Sequence, residues 1–290
     1  MVPESTHLGK TSSYPRHYDP SLLVAVPRSE NREHLGIGPA NLPFSGVDVW
    51  HAYEFSFLIN SGLPVNGILK IIYPSNSLYL VESKSLKLYL HSFNMERLGP
   101  NRADGLACAL EMIRKDLRLL LKCDVQISFF DHKTEALSSD FDGFSIMEDC
   151  IDTDTLCCES YRESPELLTS TGLPGEIHWG THLLRSRCKI TLQPDWGTVF
   201  VAMKSTNLPD AAGFLKYIVS LRDENHFHEE ICESIFTRLN QRFSPSALRV
   251  TCLYTRRGGI DICPARSLRA DDLPEKLCTI DTLTRPVFRQ

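Results

Sequence analysis

No stretch of this 290-residue chain approaches the roughly 20 consecutive apolar residues needed to span a bilayer, so no membrane partner is expected. The opening M-V-P-E-S-T-H-L-G-K has no basic region followed by an apolar one, so a secretory leader is not expected and the cytoplasm is the expected compartment. Positive charge is not in excess. The formal net charge of -5 offers no phosphate-neutralising face, and direct nucleic-acid binding is not expected. The dinucleotide fingerprint G-x-G-x-x-G is missing, because Asn41 stands where Gly36-Ile37-Gly38 would need its third glycine. A phosphate loop, G-x-x-x-x-G-K-[ST], is missing too, and together these absences disfavour a doubly wound cofactor fold. The ten cysteines include no C-x-x-C pair, which leaves no zinc-ribbon spacing. Scattered thiols in a chain without a leader are read as reduced.

What is present is a folded composition, with 42% hydrophobic and 23% charged residues. Residues 1–45, rich in Pro, Ser, Asn and Gly, read as an arm laid over a core. Within 46–135, Tyr53 to Leu58, Gly67 to Tyr73 and Ser77 to Val81 read as strands, the last running into Glu82-Ser83-Lys84. Apolar residues at 103, 106, 107, 110, 113, 117 and 120 have helical spacing, and Val125 to Phe130 returns to a strand. The acidic stretch 136–175 reads as a connecting region. In 176–290, Cys188 to Leu192 and Thr198 to Met203 read as strands flanking a Gln-Pro-Asp-Trp-Gly turn. Phe227, Ile231, Ile235 and Leu239 then mark a helix face, and Leu248 to Thr255 a further strand. Leu86-Lys87-Leu88-Tyr89 lies over Leu215-Lys216-Tyr217-Ile218 at an offset of 129, and in both blocks a long helix and a strand follow. A tandem repeat of antiparallel α+β modules, with helices packed on one face, is expected.

Four stretches could carry chemistry. Cys188 and Asp195 lie seven positions apart, and a carboxylate beside a thiol can take its proton and return it later to a substrate nitrogen. The alternative is a core cysteine and an Asp that organises a turn. In His226-Phe227-His228-Glu229-Glu230, Glu229 could anchor a heterocycle that presents N–H donors, with His228 as proton relay. The alternative is an acidic helix start, favoured by the helix dipole. Glu82-Ser83-Lys84-Ser85-Leu86-Lys87 could supply an acceptor for a purine-like ring and a lysine for a phosphate; otherwise it is a solvated strand edge. Arg256-Arg257-Gly258-Gly259 offers forked donors beside glycines that let a phosphate approach, or else a charged turn.

Together these stretches resemble the NADPH-dependent 7-cyano-7-deazaguanine reductases of queuosine biosynthesis, in their long two-module form. The resemblance runs through Tyr18 to Arg28 (Y-D-P-S-L-L-V-A-V-P-R), Val81 to Asn94, Cys188 to Gly197 (C-K-I-T-L-Q-P-D-W-G), Phe227-His228-Glu229, and Tyr254 to Ser267 (Y-T-R-R-G-G-I-D-I-C-P-A-R-S). It implies tandem tunnelling-fold modules that associate into a homo-oligomer, with a dimer expected. It implies that Cys188 attacks the nitrile carbon to form a thioimide, that Asp195 donates the proton and that His228 assists. Glu82 and Glu229 would hold the deazaguanine ring, with Val81, Ser83 and His228 lining its site. Ser83, Lys84, Arg257 and Gly258 would contact NADPH, used twice per nitrile, with Arg256 nearby. No metal is implied. Cys263 departs from the family's more frequent Asn, and Arg187 puts a large cation just before the nucleophile.

Three other readings stay open on the sequence. A zinc-dependent pterin or GTP enzyme of the same fold would use His226, His228 and a cysteine as ligands. Nitrile hydrolysis would consume no NADPH. A purine-binding scaffold would turn nothing over.

Overall fold

The computed structural model describes residues 15, 17–38 and 41–290, so residues 1–14, 16, 39 and 40 of the expected arm lie outside the described residues. The described part of the arm is folded. It forms β1 (Ala25–Pro27) and α1 (Ser29–His34). The chain continues through β2 (Ser45–Leu58), β3 (Pro64–Pro74), β4 (Tyr79–Val81), α2 (Ser83–His91), α3 (Arg102–Leu121) and β5 (Gln126–Phe130). β6 (Ser145–Ile146) and α4 (Met147–Cys150) lead to β7 (Gly175–Thr181), β8 (Arg185–Arg187), β9 (Pro194–Ser205), α5 (Ala211–Ser220) and α6 (His228–Phe243). β10 (Ala247–Tyr254), β11 (Ile260–Ser267) and α7 (Glu275–Cys278) complete it. No described helix is long and apolar enough to cross a membrane.

One mixed sheet organises the molecule, in the order β5-β3-β2-β11-β10-β9-β7-β6, with β8 added beside β9. All of its pairings are antiparallel except the two-residue contact of β6 with β7. β1 and β4 form a separate two-stranded ribbon, which ties the arm to the start of α2. The alternation of side chains across a strand then sorts the core. Trp50, Ile71 and Ile262 face α2 and α3, packing with Leu86, Tyr89, Ile113 and Leu117. Tyr254, Val250 and Val201 face α5 and α6, packing with Phe214, Ile231 and Ile235. The alternate residues Val49, Ile72, Leu253 and Cys263 point to the opposite face, where Phe141 and Leu277 of the one-turn α7 cover them. The four longer helices therefore share one face, and a strap of irregular chain covers the other.

Three local expectations are corrected. Cys188 to Leu192 is a tight turn and not a strand: the Cys188 N–H donates to Gln193 O at 2.9 Å, the Leu192 N–H donates to Cys188 O at 2.9 Å, and Leu192 takes the left-handed φ of 57°. The Pro-Asp-Trp-Gly segment, expected as that turn, is the start of β9, held by β8 through the pairs Arg187↔Pro194 and Arg185↔Trp196. The segment after Glu82, expected as a strand edge, opens α2. The Glu82 carboxylate caps it by accepting from Lys84 N–H (3.1 Å) and Ser85 N–H (2.7 Å), and the buried Leu86 and Leu90 fall at helical spacing behind it.

The arm's Arg28 and Arg32 are buried in a charge cluster at the sheet centre. Arg28 pairs with Asp48, Arg266 reaches Asp48 at 2.8 Å and Glu233 at 2.9 Å, and Arg32 reaches Glu233 at 2.7 Å. Arg266→Met is expected to strand both carboxylates and to cost about 3–5 kcal/mol, read as a fall in the denaturant midpoint against the parent protein. A midpoint within error of the parent would show that Arg28 and Arg32 alone satisfy the pair.

Candidate active site

The turn that carries Cys188, the start of β9, the N-terminus of α6, the start of α2 and the β10–β11 turn converge on one cavity of about 340 Å³. Cys188, Asp195, His228, Glu82, Ser83, Lys84, Arg257 and Gly258 all line it. A small recess opens beside it, sharing Ser83, Cys188, Asp195, His228 and Ile262, and Val81, Glu229 and Trp50 line its inner end. Of the residues to which the resemblance gives a catalytic, ring-binding or cofactor role, only Arg256 lines neither. Its guanidinium stacks 3.4 Å from the centre of the Tyr53 ring.

Cys188 is a half-buried free thiol. Its turn is anchored to α6 by Lys189, whose ammonium lies 3.3 Å from Glu230 and 5.5 Å from the centre of the Phe227 ring. The guanidinium of the preceding Arg187 pairs with Asp223 at 3.4 Å. Asp195 is almost fully buried, because Pro194–Ser205 runs straight into the sheet. One carboxylate oxygen pairs with Arg257, and the other faces His228 Nε2 at 3.7 Å. The second nitrogen of the Arg257 fork donates to the Gln193 side chain at 2.6 Å, linking the β10–β11 turn to the Cys188 turn. His228 packs edge-on against Tyr254 with ring centres 4.1 Å apart. Burial pushes the His228 pKa down, Asp195 opposes that shift and Arg257 adds to it, so the ring sits neutral near pH 7 and can shuttle a proton.

Gly258 and Gly259 have φ of 57° and 78°, and Arg257 and Ile260 exchange backbone hydrogen bonds across them. This is a two-residue hairpin turn in which both central residues need positive φ. The turn itself therefore accounts for both glycines, and it presents Arg257 to the cavity. Lys84, Lys87 and Arg257 put three cations on the cavity wall, a donor set that fits the phosphates of a dinucleotide.

The recess has a different character. The Glu229 Oε1 atom is buried and has no hydrogen-bond partner within the protein. An orphaned buried acceptor is costly, so its expected partner is a ligand donor. Burial first, and then the charge of Asp48, push the Glu229 pKa up to about 8, against the pull of Arg28 and Arg266.

The zinc reading does not match the geometry. His226 is held between Glu224 (3.4 Å) and Glu230 (3.2 Å), whereas His228 faces Asp195, so the two imidazoles serve different partners. Among the described residues, the one His/Cys/carboxylate group close enough to share an ion is His51, Asp261 and Cys263. It lies on the sheet's other face, where Asp261 bonds His51 at 2.7 Å and Tyr53 at 2.8 Å. Sequence reasoning missed Tyr254, Gln193 and Trp50 as site residues. The first two stand inside quoted motifs, whereas Trp50 gave no signal because it reads as an ordinary core position of a strand.

A family model described as the N-terminal part of the nitrile reductase, 7-cyano-7-deazaguanine reductase, matches residues 14–129, and one described as QueF-like protein matches 194–272. The NADPH-dependent 7-cyano-7-deazaguanine reductase of Dechloromonas aromatica is 41% identical over 263 residues, covering 90% of this chain and 89% of that one. This chain belongs to that reductase family. The proteins of the same name from Rickettsia bellii and Chromohalobacter salexigens are 39% and 37% identical, covering 92% and 94% of this chain and 94% and 95% of theirs. The family is one of the tunnelling-fold superfamily, and the mixed α+β sheet with its long helices on one face is that architecture. Val81 to Lys84 fall in the first matched range, and Asp195, His228, Glu229 and Arg257 in the second. Cys188 stands between the two. Its place in the site is known from the geometry.

Proposed function

We propose that this chain reduces the nitrile of 7-cyano-7-deazaguanine to 7-aminomethyl-7-deazaguanine with two NADPH, through a covalent thioimide on Cys188, in tRNA queuosine biosynthesis. The observation that carries this reading is the convergence of a free thiol, a buried carboxylate and a neutral imidazole on one wall with an unpartnered carboxylate oxygen in the adjoining recess.

The Cys188 thiol would add to the nitrile carbon, forming the C–S bond while its proton passes by way of Asp195 to the nitrile nitrogen. After the first reduction the C–S bond would break, the sulfur leaving as the thiolate and the carbon as an imine. His228, neutral and beside Asp195, would relay protons for the later steps. Glu229 would accept from the ring's adjacent N–H groups, and Glu82, Val81 and Ser83 would close the ring site. Lys84, Ser83, Arg257 and the Gly258 backbone would hold NADPH, with Arg256 nearby; when bound, it supplies the hydride that the activated carbon accepts. The same reading makes the working form a homodimer in the cytoplasm. It divides each chain into an arm (1–45), a first module (46–135), a connecting region (136–175) and a second module (176–290).

Mixing the protein with 7-cyano-7-deazaguanine is expected to add the mass of one ring to the peptide bearing Cys188. Subsequent turnover is expected to oxidise two NADPH per nitrile, followed by the loss of absorbance at 340 nm. Product formed without NADPH oxidation would point to hydrolysis instead and sink the reductase reading.

A further inference from the structure

Arg28 and Arg266 stand in the two stretches, Tyr18 to Arg28 and Tyr254 to Ser267, whose ends the catalytic scheme leaves without a task. Both guanidiniums are buried directly behind the Glu229 recess. Arg28 pairs with Asp48, donates to Ser77 at 3.0 Å and lies 3.7 Å from Glu233. Arg266 bridges Asp48 and Glu233, and Arg32 forks onto Glu233 at 2.7 and 2.9 Å. Arg266 and Arg28 hold the Asp48 carboxyl below the usual range although burial opposes them, and Arg266 and Arg32 do the same for Glu233, so both are anionic. Three guanidiniums thus face two carboxylates, and the cluster carries one uncompensated positive charge.

Glu229 is the remaining carboxylate beside this cluster, and its Oε1 atom has no partner within the protein. The groups whose charge it feels are Asp48 on β2, the Tyr73 phenol on β3, and Arg28 and Arg266, both of which pair with Asp48. We propose that the cluster makes Glu229 a proton-coupled anchor: it carries a proton in the empty site and releases it to solvent when a ring presenting two adjacent N–H donors docks, the unbalanced arginine charge then holding the carboxylate. The inference rests on the deazaguanine reading of the recess.

The physical case has two halves. In the empty recess an ionised Glu229 has no protein donor on Oε1, and burial favours its neutral form, with its pKa pushed up to about 8. Two N–H donors on the ring favour the anion, because hydrogen bonds to a charged acceptor are the strong ones. The net +1 behind it removes much of the cost of burying that anion. A neutral cluster would leave it buried and uncompensated. Arg28, Arg266, Asp48 and Glu233 are on this account positioning residues, acting on the ring through Glu229.

The test is calorimetry of 7-cyano-7-deazaguanine binding to Cys188→Ala, which cannot form the adduct, in buffers of different ionisation enthalpy. Close to one proton is expected to be released per ring at pH 7, and the number should fall towards zero by about pH 9.5. Glu229→Gln in the same background should release none. Arg28→Met is expected to weaken binding at pH 7 more than tenfold, with recovery as pH rises, and Arg28→Lys should restore much of it. Asp48→Asn should act in the opposite sense, lowering the proton count at pH 7, an outcome that simple loss of structure would not give. Ring binding without proton release at pH 7, or release that survives Glu229→Gln, overturns the inference and leaves the reductase reading standing. No ring binding at any pH, with no NADPH oxidation by the parent protein, sinks the reductase reading itself.

Discussion

Replacing Cys188 by alanine is expected to lower turnover by at least about 10⁴-fold while leaving the ring bound. A nitrile carbon is a poor hydride acceptor, and the thiol is the group in the cavity that can convert it into a C=N carbon attached to sulfur. Removing a nucleophile that works with its proton-transfer partners as a unit costs about as much as removing all of them, which sets the size of the loss. Ring affinity should stay within a few-fold, because Glu229, Glu82 and the other lining residues are untouched. Single-turnover measurement with mass detection separates the two effects. A variant that still turned over at a tenth of the parent rate would remove the thioimide from the scheme.

Asp195→Asn is expected to cost about 10²–10⁴ in the rate of adduct formation and in turnover, the usual size of a lost general acid–base group. Asparagine keeps the shape but can neither take the thiol proton nor hand one to the nitrogen, and it leaves Arg257 without its ionic partner. Because Arg257 also holds Gln193 at the end of the Cys188 turn, some of the loss should appear as slower adduct formation before any hydride moves. Rapid-mixing absorbance would follow that step by itself. A normal adduct rate with slow turnover would instead assign the first proton transfer to His228 and restrict Asp195 to the later ones.

Much of the site was legible because its residues sit in short, dense motifs. Cys188 and Asp195 are seven positions apart, His228 and Glu229 are adjacent, and Val81 to Lys84 are consecutive, so a few short segments carry most of the chemistry. Structure departs from local pattern where one segment fits two backbones. Glu82-Ser83-Lys84-Ser85 follows a strand and has the composition of its edge, and the burial of Leu86 and Leu90 against the sheet makes it a helix start instead. Cys188 to Leu192 has strand-like residues, but the partner strand that would extend it is already taken by β8.

The sequence by itself determined the short motifs that carry the family resemblance and the order of most elements, because helical and strand periods and short-range motifs are local properties. It did not reveal that Ile260–Ser267 is a strand, since a run holding Asp261, Cys263, Pro264 and Arg266 shows no clean alternation. Only the tertiary structure decided that this strand pairs with Ser45–Leu58, more than 200 positions earlier, and so closes one sheet from both ends of the chain. That pairing brings Arg266 to Asp48 and, with the arm's Arg28, builds the charged floor behind Glu229. Each arginine alone reads as a surface charge. Only burial against a carboxylate from a distant strand gives it a task, and no local pattern records that distance.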